Sequence, residues 1–188
     1  DLSNSIIYKA FIGGDTTFKY ANLSYVNLCA ADPTNTDFTG ADLSHADFDH
    51  AKLLNADLSG AIVRYTNFHD TNLEGVDLSG MDLTGTILTG ADLTNAILTG
   101  VDLSGKDLTG TILTGADLTD ANLTGVDLSG KDLTGTILVG VDLSGKDLTG
   151  TILVGVDLSD KDLTGTILTG ADLSNANLID ANLTDASL

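Results

Sequence analysis

Ala41-Asp42-Leu43-Ser44-His45 and Ala91-Asp92-Leu93-Thr94-Asn95 follow one five-residue plan: a small residue, Asp or Asn, Leu, Ser or Thr, then a turn residue. The plan runs without a slip from Phe18 to Leu188, through 35 consecutive centres held by Leu or a substitute for it. A period of five matches neither the 3.6-residue turn of a helix nor the two-residue alternation of a strand, so the chain must bend at every unit. Nineteen of the 21 glycines occupy the fifth place, Gly13 and Gly14 being the exceptions, and Asn95, Asp120, Asp160 and Asn175 fill it elsewhere. Glycine, followed by Asn and Asp, reaches the positive φ that a type II turn demands. Each unit therefore reads as a short extended piece and a corner.

These blocks resemble the pentapeptide-repeat proteins, whose signature is A(D/N)LXX, and the resemblance covers essentially the whole chain. It implies an all-β fold, a right-handed quadrilateral parallel β-helix (solenoid) of about nine 20-residue coils, with the centre and the small residue two before it pointing inward. The core centres on that reading include Phe18, Phe38, Phe48, Phe68, Leu83, Leu103, Leu123, Leu143 and Leu163. Phe18 then stacks below Phe38, and Phe48 below Phe68. At about 4.8 Å per coil the rod is roughly 45 Å long.

A single domain is expected over 1–188, regular from 16 to 188. Residues 1–15 read as units centred on Leu2, Ile7 and Ile12 but one residue out of phase, with Asp15 as the inserted residue; an irregular cap is the alternative. Pro33 occupies a centre and has no N–H to donate, which predicts a local outward bulge. Lys106, Lys131, Lys146 and Lys161 stand where the family has a small inward residue. Their stems should line the wall while their heads escape toward neighbouring Asp107, Asp132, Asp147 or Asp162 or an acid in the adjacent coil. A longer repeat overlies the short one: 76–100 and 101–125 are near copies, as are 126–140, 141–155 and 156–170. Neither length is a multiple of twenty, so equivalent residues rotate from side to side, which argues against one repeated ligand groove.

Charge is the feature most able to carry function. The net charge is −19, and 18 of the 27 acidic residues are Asp in the place just before a centre, which should face solvent. This acidic surface includes Asp42, Asp82, Asp102, Asp107, Asp127, Asp147 and Asp162. It amounts to about one net charge per 2.4 Å of rod, against about one per 1.7 Å for duplex DNA. Some proteins of the resembled family are DNA mimics that occupy the DNA-binding saddle of type II topoisomerases such as gyrase. The present chain departs from them in lacking a long loop and a terminal dimerisation element, and Ile97 and Ile137 interrupt one acidic column. The six isoleucines at 87, 97, 112, 137, 152 and 167 should form scattered apolar spots.

Catalysis finds no motif: His45, His50 and His69 share no 20-residue stack, Cys29 is alone, and no cofactor or metal pattern is present. The expected function is a non-catalytic structural or protein-protein interaction module with an unknown protein partner, no small-molecule substrate, no direct nucleic-acid binding and no membrane contact. The alternative is a gyrase-directed DNA mimic, and a third is the repeat domain of a larger cyanobacterial-type protein. The chain shows no signal peptide or transmembrane run, opens at Asp1 inside a unit and ends at Leu188, so its ends read as cut and its compartment as unknown. Bare coil ends imply end-to-end dimerisation or a missing cap.

Overall fold

Each side of the fold is one parallel bridge wide, and the bridges keep a single offset. Thr17 pairs with Asp37, Asn22 with Asp42, Asn67 with Ile87 and Asp157 with Asn177, each residue meeting the one twenty further on. The computed structural model describes residues 1–14 and 16–188. Every fifth residue from Tyr20 to Asp185 is a corner with φ between +49° and +72°. The turn is closed by a bond such as Ala41 N–H to Phe38 O, 2.9 Å, with the positive φ on its third residue. Four such corners separate bridged partners, so the chain is a four-sided β-solenoid.

The Asp or Asn before each centre shapes the corner that follows. Its Oδ1 accepts the backbone N–H two residues on, as from Ser44 to Asp42 (3.0 Å), Thr94 to Asp92 (3.0 Å) and Cys29 to Asn27 (3.0 Å). This is an Asx turn, and a neutral amide oxygen serves as well as a carboxylate. The hydroxyl of that same Ser or Thr reinforces it, Thr119 Oγ1 lying 2.6 Å from Asp117 Oδ1.

The interior is a continuous column of side chains. Phe38, Phe48, Phe68, Leu103 and Leu163 are completely buried, and Leu83, Leu123 and Leu143 nearly so; Phe18, in an outer coil, is partly buried. Phe18 stacks on Phe38 at 5.5 Å and Phe48 on Phe68 at 5.6 Å, while Phe38 meets Phe48 edge-on at 6.0 Å. Inward threonines are satisfied by the coil below: Thr66 Oγ1 donates to Leu43 O (2.8 Å) and Thr71 Oγ1 to Phe48 O (2.6 Å).

The first coil pairs at an offset larger by one residue: Ile6 with Asn27 and Phe11 with Asp32. Ile7 and Ile12 pack against the core. The inserted residue itself, Asp15, lies outside the described residues. Pro33 departs from expectation. It is buried rather than bulged outward, its turn is closed by Thr36 N–H to Pro33 O (3.1 Å), and Asn35 N–H still reaches Leu54 O (3.0 Å). The one bond the ring cannot give, to Lys52 O, is replaced by a long 3.5 Å approach from Thr34 Oγ1.

Candidate interaction surface

The inward place two residues before a centre decides whether a unit closes onto the coil below. From Ala31 to Ala186, each unit that begins with Ala or Thr donates the N–H of its second residue to the coil below, as in Asp92 to Thr71 O (2.9 Å) and Ile137 to Ala116 O (2.9 Å). Among the described residues, Asp77, Asp82, Asp102, Asp107, Asp127, Asp132, Asp142, Asp147, Asp157 and Asp162 make no such bond. They follow Val, Met or Lys in every case. Val26 is the exception and keeps its bond, Asn27 N–H to Ser5 O (2.9 Å). A large side chain in this place needs more room than a coil spacing gives, so the wall lifts and the backbone bonds are forfeited.

Open clefts lie at lifted units that begin with Val. One of about 820 Å³ lies between Asp120–Asp127 and Gly140–Asp147, and one of about 460 Å³ between Gly105–Gly110 and Gly125–Lys131. These two lie on different sides of the rod.

The lysines correct the expectation drawn from sequence. Their stems are partly buried as expected, but the heads of three, Lys106, Lys146 and Lys161, go to backbone carbonyls rather than to aspartates. Lys106 Nζ donates to Thr86 O (3.2 Å), Lys146 Nζ to Leu123 O (2.7 Å) and Lys161 Nζ to Val141 O (3.0 Å). Thr86 O and Val141 O are the acceptors that the Asp107 and Asp162 amides would otherwise use. Burial pushes the Lys106 and Lys161 ammonium groups below their usual range, against the opposing pull of Asp102 and Asp82 on the first and Asp120 and Asp142 on the second.

The seven acids singled out in sequence all lie on the outer walls, Asp42 half-buried and Asp82, Asp102, Asp107, Asp127, Asp147 and Asp162 exposed. Hydroxyl and then amide bonds from the Ser or Thr two residues on hold the last six carboxyls below the usual range. Asp127 opposes this at Asp147, and Asp142 at Asp162, as like charges one coil apart must. Asparagine relieves some columns: Asn122 Nδ2 bonds Asp102 Oδ1 (3.0 Å) and Asn67 Nδ2 bonds Asp47 Oδ1 (2.9 Å). The six isoleucines are exposed and never stacked on one another.

Sequence reasoning missed a corner column. Tyr25, His45 and Tyr65 stack face to face at 4.5 Å and 4.8 Å, with both tyrosines about half exposed. Their spacing of twenty is the signal that would have found it. The stack ends at Gly85, where a Cβ would collide with the Tyr65 ring. A second group, His50, His69, Asp49 and Asp70, gathers at the next corner.

No helix among the described residues is long and apolar enough to cross a membrane. No curated protein matches the chain in sequence. Among solved structures, the chain is similar to HetL, a pentapeptide repeat protein involved in heterocyst differentiation regulation from the cyanobacterium Nostoc sp. strain PCC 7120. The identity is 32%, over 98% of this chain and 85% of that one, with a TM-score of 0.58. It is also similar in fold to a trypsin-treated form of QnrB1, a plasmid-mediated fluoroquinolone resistance protein, at 22% identity over 91% and 83% of the two chains and a TM-score of 0.62. The family model for pentapeptide repeats matches overlapping segments that run from residue 16 to residue 188. With the five-residue corners and 20-residue register already in place, this match settles the family: the chain belongs to the pentapeptide-repeat proteins.

Proposed function

We propose that the protein is a non-catalytic protein-interaction module, built on a right-handed, four-sided acidic rod of about nine coils. Right-handedness follows the strong preference of parallel strand connections. One observation carries the functional reading: the interior is filled side to side by apolar residues, and the polar, acidic and aromatic groups available for recognition stand on the outer walls and corners. Tyrosine and arginine are residues that anchor protein interfaces, and Tyr25, Tyr65 and Arg64 lie together on one such corner and wall. The acidic columns would steer a basic partner toward this surface.

The second reading is a DNA mimic that binds a type II topoisomerase. The runs Asp37, Asp57, Asp77 and Asp107, Asp127, Asp147 favour it; the isoleucines that end these same columns, Ile97 above Asp77 and Ile87 and Ile167 on either side of the second run, weaken it. A gyrase supercoiling assay at micromolar protein separates the two, run with the native chain and with Asp107→Asn, Asp127→Asn and Asp147→Asn combined. Asparagine keeps the Oδ1 that shapes each corner and removes only the charge. Supercoiling unchanged by either chain supports the general module. Inhibition or protection that the triple variant loses replaces it with the mimic.

A further inference from the structure

Ile97, Ile137 and Ile179 punctuate one side of the rod at every second coil. Ile97 pairs with Asp117 and Asp117 with Ile137, while Asp157 pairs with Asn177, two places before Ile179. Read upward, apolar and acidic levels alternate: Ile97, then Asp117 with the corner Asp120, then Ile137 with Val139, then Asp157 with the corner Asp160, then Ile179. Val139 and Ile179 are 62% and 68% exposed, and Ile97 and Ile137 are exposed as well.

The corners gain nothing from these apolar residues. An isoleucine before a centre surrenders the Oδ1 acceptor that Asp117 offers the Thr119 amide at 2.9 Å, and Val139 surrenders the reinforcing hydroxyl. The acids between them are also uncompensated. Asp32, Asp37 and Asp82 are ion-paired with Lys52, Lys19 and Arg64, whereas Asp117, Asp120, Asp157 and Asp160 make no ion pair among the described residues. Asp120 Oδ1 fills the space where a Cβ at Gly140 would stand, which sets a carboxylate beside Val139. The Ser159 amide and hydroxyl and Asn177 Nδ2 all use Asp157 Oδ1, and none of them uses Oδ2. Where the Val156 unit lifts, a cleft of about 360 Å³ opens, lined by Val139, Gly140, Asp157, Ser159, Asp160 and Lys161. Lys161 is engaged elsewhere, its Nζ donating to Val141 O (3.0 Å).

We propose, resting on the interaction-module reading, that this side docks a basic amphipathic helix of a partner protein laid along the rod. Two coils advance about 9.6 Å, and seven helical residues advance about 10.5 Å. Apolar residues at i, i+7 and i+14 of the helix then meet Ile97, Ile137 with Val139, and Ile179, while Lys or Arg three or four places after each apolar residue meets the carboxylates between. The lift at the Val156 unit stretches the upper step toward the helical repeat. A strand repeats on one face at about 6.8 Å and falls out of step. A second copy is opposed by charge, since it would bring like carboxylates together in chains of net charge −19.

The experiment is a fluorescence-anisotropy titration of the full chain into a labelled synthetic helix with Leu at every seventh position, Lys three and four places after each, and Ala and Gln elsewhere. Saturable one-to-one binding is expected. Ile137→Asp installs the residue the fold uses in this place and should weaken binding by about tenfold or more. It does so while adding a negative charge, which would tighten a complex held by charge alone. Ile87→Asp makes the same change on another side and should not weaken binding. Asp117→Asn with Asp157→Asn, which keep each Oδ1, should weaken it about fivefold, and circular dichroism should show all variants folded. Absence of saturable binding, equal binding of a scrambled peptide, or a folded Ile137→Asp chain that binds as the native one does overturns the proposal. So does a native dimer in sedimentation equilibrium that Ile137→Asp dissolves, which would assign the side to a second copy. The gyrase variants change Asp107, Asp127 and Asp147 on a different side, so failure here leaves the interaction-module reading to be decided by supercoiling.

Discussion

Replacing Lys131 by alanine should close one lifted unit. Lys131 is the cleanest of the ten positions because the unit around it is otherwise tied down. Leu133 N–H bonds Ile152 O above (2.8 Å), Ile152 N–H bonds Lys131 O (2.8 Å), and the neighbouring corner bond from Gly115 N–H to Thr134 O is intact (2.9 Å). Only the pair Asp132 N–H to Thr111 O and Leu113 N–H to Asp132 O is missing. Each restored bond contributes about 0.5–1.5 kcal/mol. Loss of the ammonium near Asp107 and Asp127 removes only an exposed, solvent-screened attraction. The net gain is about 1 kcal/mol, which raises the melting temperature of a chain this size by roughly 2–4 °C. The sharper readout is amide hydrogen exchange: Asp132 and Leu113 should slow by about tenfold, while amides of the closed Ala116 unit stay as they are. The reverse change, Ala116→Val, should release Asp117 from Ala96 O (2.9 Å) and Leu98 from Asp117 O (2.7 Å). If Asp132 and Leu113 exchange as fast in Lys131→Ala as in the native chain, side-chain size in the inward place does not control coil closure and the reasoning fails.

Phe48→Ala should cost about 3–5 kcal/mol in urea unfolding, since the ring is wholly buried and its coil cannot collapse into the void while its rungs hold. A loss below about 1.5 kcal/mol would place Phe48 outside a packed interior. Asp117→Asn should leave the melting temperature nearly unchanged because the Oδ1 acceptor for Thr119 is kept, whereas Asp117→Ala should lose about 1–2 kcal/mol; equal effects would refute the Asx role. Acid should destabilise the rod. The Thr39 hydroxyl and amide, then Lys19, lower the Asp37 carboxyl to about 2. A folded value below the unfolded one of about 3.9 gives stability that is present above that pH and lost as pH falls toward 2. Melting temperatures from pH 7 to pH 2 should therefore drop mainly below about pH 4, and Asp37→Asn should lessen the drop. Gly85→Ala should cost about 1–2 kcal/mol through its left-handed corner and unseat Tyr65, visible as changed tyrosine fluorescence.

The parts of this fold that a reader of the sequence could see are those set by one residue in one place. Leu93 and Phe48 point inward because their place recurs every five, and Gly140 marks a corner because its φ is +72°. What escaped includes the lifted walls, which follow the inward residue of the upper unit: Val76 over Ala56 opens as Val126 over Lys106 does, whereas Ala121 over Val101 stays closed. The lysine heads were assigned to aspartates because charge seeks charge in solution; near the core the carbonyl of Thr86 is closer, and lifting the coil had freed it. Tyr25, His45 and Tyr65 were readable, but only by applying the coil register to the exposed corners as strictly as to the core. Groups that arise from neighbouring columns were the least legible, as His69 and Asp70 beside His50.

The central claim is that twenty residues advance the chain by one coil spacing. Spin labels on cysteines at Ser44 and Ser144, with Cys29 changed to serine, test it by pulsed electron resonance. These sites share one wall five coils apart, so the backbone separation should be about 24 Å with a narrow distribution. A broad distribution, or a separation beyond about 40 Å, would contradict the four-sided stacking on which the account rests.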